Sequence, residues 1–105
     1  MSGSFGELGS LLKQAQQMQR DLDKVREELR KLTVEGVARG VTVQVAGDRQ
    51  IVKIELSDEL LENGDKGVIE ELLLRALRDG VTKASKLAEE KMGKVTGGVN
   101  LPGLF

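Results

Sequence analysis

The chain contains no cysteine, histidine, tryptophan or tyrosine, and its only aromatic residues are Phe5 and Phe105. Lack of cysteine removes disulfides, thiolate nucleophiles and zinc–thiolate sites, a usage compatible with a reducing cytoplasm. Lack of histidine and tyrosine removes most general acid–base and nucleophilic chemistry, leaving carboxylates, lysines and hydroxyls, so no enzyme is expected. Two phenylalanines at the ends give the body of the chain no platform on which single-stranded bases could stack. No apolar run approaches a membrane-spanning length, and Met1 to Glu7 lacks the basic and apolar regions of a signal peptide. Neither sign of charge dominates: 16 Lys and Arg face 17 Asp and Glu, for a net charge of −1. A uniformly basic surface, the simplest footprint of a nucleic-acid binder, is therefore absent.

What is present is a long seam. Leu8, Leu11, Ala15, Met18, Leu22, Val25, Leu29 and Leu32 recur at 3-4-3-4 spacing, which keeps one apolar edge on one side of a helix for three and a half heptads. From Gln14 to Lys31 the residues between them are Gln, Lys, Arg, Asp and Glu, good helix formers, with no glycine or proline until Gly36. Such a helix is roughly 37 Å long, more than the width of a compact domain of this size, so the seam predicts packing on a second element or a second chain, and hence an oligomer. The 39% hydrophobic content of 105 residues is modest for an independent monomer, and dimerisation would add burial.

After Leu32 the period changes from 3.5 to 2. Thr33 to Ala38 is β-prone, Arg39-Gly40 breaks it, and Val41, Val43 and Val45 alternate with polar residues or alanine. Gly47-Asp48-Arg49-Gln50 supplies a turn, and Ile51 to Leu56 alternates Val52, Ile54 and Leu56 with Lys53 and Glu55. An antiparallel meander with one buried face follows. Ser57-Asp58 caps a short helical turn, and Asp65 caps a second long helix from about Lys66 to Lys94. Its first half is expected against the sheet and its lysine-rich second half more exposed. The fold class is thus α+β in a single domain over residues 1–105: long helix, three-stranded meander, short helical turn, long helix, with residues 1–7 and 96–105 as flexible tails.

Two local patterns suggest ligands and fail. Asp58 to Asp65 is acidic but lacks the alternating ligands and closing Glu of a calcium loop. Gly64-Asp65-Lys66-Gly67 precedes a helix but lacks the Gly-Lys-Ser/Thr ending of a phosphate loop. No metal, cofactor or small-molecule substrate is expected. Lys13, Arg20, Lys24, Lys83, Lys86, Lys91 and Lys94 on the long helices can be read as phosphate contacts to a duplex, or as ordinary solvated surface with local ion pairs. Gln14, Gln16, Gln17 and Gln19 could hydrogen-bond nucleic acid or simply face water.

In combination, the segment GSLLKQAQQM from Gly9 to Met18, the heptad helix, the meander, Ser57-Asp58-Glu59-Leu60-Leu61, Glu89-Glu90-Lys91-Met92 and the final Asn100-Leu101-Pro102-Gly103 resemble the YbaB/EbfC family of bacterial nucleoid-associated proteins, over essentially the whole chain. The resemblance implies a tweezer-like homodimer that binds duplex DNA with little sequence specificity in the cytoplasm, at the nucleoid, and organises the chromosome or regulates gene expression. Carried onto this sequence it implies DNA contacts at Lys13, Gln14, Gln17, Arg20 and Lys24 on the first long helix and Lys83, Lys86, Lys91 and Lys94 on the second. A different class of role remains open: an adaptor whose heptad helix and Leu101 to Phe105 tail engage a partner protein.

Overall fold

The structure, a computed structural model, describes residues 2–97, with side chains from residue 6 onward. Helix α1 spans Ser2–Lys31, strands β1 Thr33–Ala38, β2 Val41–Ala46 and β3 Ile51–Leu56 follow, and helices α2 Asp58–Asn63 and α3 Lys66–Val95 complete the chain. These are the elements expected from the sequence. Helix α1 begins earlier than the Leu8 or Leu11 start that the seam suggests, and residues 98–105 of the anticipated C-terminal tail lie outside the described residues.

The sheet is an antiparallel meander in the order β1-β2-β3. Ala38 pairs with Val41, so Arg39-Gly40 forms a two-residue turn in which Gly40 takes φ 79°, a conformation that suits glycine. The second turn is held by Arg49 N–H to the Ala46 carbonyl (2.8 Å) and Ala46 N–H to the Gln50 carbonyl (2.8 Å), with Arg49 at φ 72°. Ser57 Oγ accepts from Leu60 N–H (3.1 Å) at the start of α2, and Asp65 Oδ1 accepts from Val68 N–H (2.9 Å) at the start of α3, as the capping residues predicted.

Helix α3 is the spine. Its first half lies on the sheet through Ala76, Gly80 and Ala84 against Val41, Val43 and Val45. Gly36 of β1 and Gly80 of α3 meet backbone to backbone: a Cβ at Gly36 would lie 2.7 Å from Gly80 Cα. Further along, Ala88 and Met92 pack on Leu22 and Leu29 of α1, flanked by Met18, Val25, Leu87 and Val95. The second half of α3 is therefore not the more exposed half. Its small residues give a close approach to α1 rather than a weak apolar stripe. The end of β2 meets the end of α1 where Gly47 N–H donates to the carbonyls of Leu29 and Leu32, both at 2.9 Å.

One expectation for the meander fails in an informative way. Ile54 and Leu56 pair with Val43 and Val41 and share their face, yet Ile54 is 46% exposed, and Val52, at 56%, is left without a partner by an irregularity that sets Val45 opposite Ile51. A helix about 10 Å across spans two strands spaced about 4.8 Å apart, and α3 is seated over β1 and β2, so the third strand extends past it. The molecule measures 77 × 20 × 15 Å, because α1 overlaps α3 only from about Met18 onward and projects beyond it.

Candidate nucleic-acid interface

The seam and the candidate contact residues share α1, and helical phase separates them. Leu22 and Leu29 are buried, Met18 and Val25 half-buried, while Leu8, Leu11, Ala15 and Leu32 are exposed. The middle of the seam is thus used inside the protomer. Lys13, Gln17, Arg20 and Lys24, spaced i, i+4, i+7 and i+11, form one exposed row on the opposite side, roughly 110–170° around the helix from the seam at about 100° per residue. Gln14 is exposed but lies beside the seam, outside that row. Lys31, one heptad after Lys24, continues the row and is exposed. It was not among the residues singled out from the sequence, although the heptad pattern carries it.

Within the row, Arg20 Nη2 donates to Gln17 Oε1 (2.8 Å), and Gln17 Nε2 donates to Asp21 Oδ1 (2.9 Å). Gln17 thus orients the guanidinium while occupying the neighbouring carboxylate. Arg26 pairs with Asp23 at 3.0 Å and Arg30 with Glu27 at 2.9 Å, so these two arginines have part of their charge compensated locally. Among the described residues, Lys13, Lys24, Lys86, Lys91 and Lys94 have no carboxylate within 4.0 Å. Such exposed pairs contribute little stability, but they decide which cations remain free for a polyanion.

On α3, Lys86 and Lys94 stand on the side away from α1, separated by Glu90, and Lys91 is half-buried beside the α1 contact. Lys83 differs from the rest. Its Nζ donates to the Glu35 carbonyl at 2.9 Å and pairs with Asp79 Oδ2 at 3.0 Å, and Asp79 Oδ2 accepts from Val37 N–H at 3.0 Å. Glu35 and Val37 present these groups from the free edge of β1, so the Asp79–Lys83 pair closes an edge strand that would otherwise be open. The Val37 N–H, then Lys83, holds the Asp79 carboxyl below the usual carboxylate range, against a smaller opposing effect of desolvation. Lys83 is a clamp on the fold before it is a contact for any ligand.

The two basic rows face away from each other across the α1–α3 pair. One protomer therefore offers two separate cationic edges that do not face each other. No group of three or more potential metal ligands, and no helix long and apolar enough to cross a membrane, occurs among the described residues.

Comparison with known proteins sets this arrangement in a family. The chain is 34% identical over 98% of its length to a nucleoid-associated protein of Alkaliphilus metalliredigens, covering 92% of that protein. It is 45% identical over 90% of its length to one from Chloroflexus aurantiacus, covering 95% of it. The crystal structure of an uncharacterized protein from Helicobacter pylori shares the fold, with a TM-score of 0.71 over 89% of this chain and 97% of that one, at 24% identity. Residues 5–99 match the model of the YbaB/EbfC DNA-binding family, and the chain belongs to that family.

Proposed function

We propose that the protein binds duplex DNA as a homodimer with little sequence preference, as a cytoplasmic, non-enzymatic component of the bacterial nucleoid that organises the chromosome or regulates gene expression. The observation that carries this reading is the exposed row Lys13, Gln17, Arg20 and Lys24 on the outer face of a projecting helix, with Lys13 and Lys24 unpaired among the described residues and Arg20 held by an amide rather than a carboxylate. Cations spaced along a rigid rod suit phosphates, which position a protein without reporting base sequence. The second edge, Lys86 and Lys94, with Lys91 at its margin, supplies further contacts, and Gln14 and Lys83 contribute least. Membership of a DNA-binding family supports the same reading.

Dimerisation is supported by the uncovered strand. Ile51, Val52 and Ile54 of β3, with Leu61 of α2 and Val68 and Leu74 of α3, are 40–56% exposed large apolar side chains, and β3 has a free hydrogen-bonding edge. A second copy seated there would bury them, and the two-fold would give each cationic edge a counterpart. That provides the tweezer geometry that a single protomer lacks.

The test is duplex binding across a salt series, comparing the wild type with Lys13→Gln, Arg20→Gln and Lys24→Gln combined, with sedimentation run in parallel. The wild-type affinity should fall steeply with salt and the variant slope should be shallower by about 0.9 for each phosphate contact removed. An unchanged slope refutes the assignment of the row. Absence of duplex binding even at low salt would favour the second reading, an adaptor for a protein partner, for which the exposed Leu8, Leu11 and Leu12 argue.

A further inference from the structure

The sheet has two outer strands, and their edges are finished differently. On β1 the edge is closed by side chains of α3: Val37 N–H donates to Asp79 Oδ2 at 3.0 Å, and the Glu35 carbonyl accepts from Lys83 Nζ at 2.9 Å. On β3 no such cover occurs among the described residues: Ile51–Leu56 is bonded to β2 on one side, and its other side carries no hydrogen bond to any helix or loop. Edge strands are ordinarily blunted, because an open one pairs with another chain. A sheet that guards β1 and leaves β3 open has one strand available for pairing.

The residues of that strand select its partner. Lys53 and Glu55 stand on the face turned away from α3, with Ile54 between them on the other face, and they pair with each other along the strand at 2.7 Å. Opposite them on β2 are Gln44 and Thr42, so the neighbouring strand supplies no charge. When two copies extend one sheet across a two-fold axis, the strands run antiparallel, each face stays continuous, and one residue lies opposite itself. Centring on Lys53 or Glu55 sets a charge opposite its own copy, which destabilises. Centring on Val52 or Leu56 keeps Lys53 and Glu55 from facing each other. Centring on Ile54 sets Lys53 opposite Glu55 twice, with isoleucine against isoleucine on the α3 face.

We propose that β3 recognises itself: two copies of this chain join β3 to β3 in the antiparallel register centred on Ile54, with Lys53 of each copy opposite Glu55 of the other. This rests on the homodimer reading above and adds to it the strand register and the charges that choose it. The four charges then alternate in sign around the two-fold on the outer face of the doubled sheet, while Ile54 and Leu56 continue the apolar face toward the second copy. Both ends of that doubled sheet are β1 edges closed by Asp79 and Lys83, so pairing stops at two chains instead of propagating.

Charge reversal in the full chain tests the register. Lys53→Glu and Glu55→Lys each set like charges opposite one another twice, and in sedimentation equilibrium at low salt each variant alone should dissociate with a constant about tenfold above that of the wild type. Mixed in equal amounts, the two should associate as tightly as the wild type, and Lys53→Glu, Glu55→Lys combined in one chain should do so by itself. Single reversals that dimerise like the wild type, or a mixture no tighter than its components, overturn the register while leaving a homodimer in place. A wild type that stays monomeric at micromolar concentration overturns the homodimer reading with it. Independently, the chain has no cysteine, so Ile54→Cys, on the axis, should give a disulfide-linked pair of chains on mild oxidation, whereas Val37→Cys on the closed edge should give little. Opposed residues of antiparallel strands lie about 4.5–5.5 Å apart at Cα, within reach of a disulfide. Equal trapping in both variants, or none at Ile54→Cys, overturns the proposal.

Discussion

Gly36→Ala is the substitution to which this fold should be most sensitive for its size. A methyl group on Gly36 would run into the Ala76 carbonyl oxygen and the Gly80 backbone nitrogen, and would lie 2.7 Å from Gly80 Cα. All three are backbone atoms of α3, so no rotamer change relieves the overlap, and the helix must lift off β1. Overpacking of a core typically costs about 1–3 kcal/mol, and a clash with backbone belongs at or above the upper end, about 3 kcal/mol. Gly80→Ala meets Val45 Cγ2 at 2.6 Å, and Gly36 Cα and N at 3.3 Å. There the replacement regains about 1 kcal/mol of helix propensity, leaving a net loss of about 1–2 kcal/mol. Gly93→Ala, in the same helix with nothing within 4 Å of the added carbon, should instead stabilise by about 0.5–1 kcal/mol. Thermal unfolding followed by circular dichroism at one fixed protein concentration separates them, since association shifts the midpoint. At about 4–8 °C per kcal/mol, Gly36→Ala should melt at least about 12 °C below the wild type and Gly93→Ala a few degrees above it. A Gly36→Ala midpoint within about 4 °C of the wild type would refute the close-approach argument. So would equal damage from Gly93→Ala, since glycine content rather than contact would then be responsible.

Three further outcomes follow from the packing and the edge clamp. Leu22→Ala, at a site 1% exposed against Ala88 and Met92, should cost about 2–5 kcal/mol in denaturant melts and release α1 from α3. The Asp79 carboxyl, depressed in the folded state relative to 3.8, stabilises the fold above that value and loses this contribution as pH falls through its lower folded value. Asp79→Asn should therefore show a flatter loss of stability on the acid limb, and identical acid titrations of the two proteins would exclude the clamp. Lys83→Met should lower the melting temperature by loosening β1, whereas Lys86→Met should leave it within about 0.5 kcal/mol and reduce the salt slope of DNA binding.

The order and type of the elements were legible because each signal is local: the 3-4 spacing of α1, the alternation of β2, the caps at Ser57 and Asp65. The misreadings share one physical origin, that burial depends on which element lies opposite. Ile54 carries the pattern of a buried strand face but extends past the width of α3, and Val52 is skipped where the register shift sets Val45 opposite Ile51. Ala84, Ala88 and Met92 carry the pattern of a thinning stripe but are buried, Ala84 against the sheet, and Ala88 and Met92 because the small Ala88 lets α1 come near. Gly36 and Gly80 gave no recognisable pattern, being 44 residues apart and meaningful only together.

The candidate interface was less legible than the fold for a related reason. A lysine on a helix has the same local signature whether it faces water, a phosphate or a strand edge. Lys83 and Lys86 are three residues apart and indistinguishable in sequence, yet Lys83 reaches the Glu35 carbonyl while Lys86 has no carboxylate within reach among the described residues. Net charge was equally uninformative, since a charge of −1 averages cationic rows with carboxylates that the structure assigns elsewhere, Asp23 and Glu27 to Arg26 and Arg30, Asp79 to the edge of β1. What matters for a polyanion is the set of cations left over after those local pairings. The two candidate rows lie on opposite sides of the α1–α3 pair, so the proposed duplex binding is expected to depend on assembly through β3. A substitution that blocks association at β3, such as Ile54→Lys, should accordingly weaken duplex binding even though it removes no cation, and undiminished binding by the monomer so produced would show that one edge is enough.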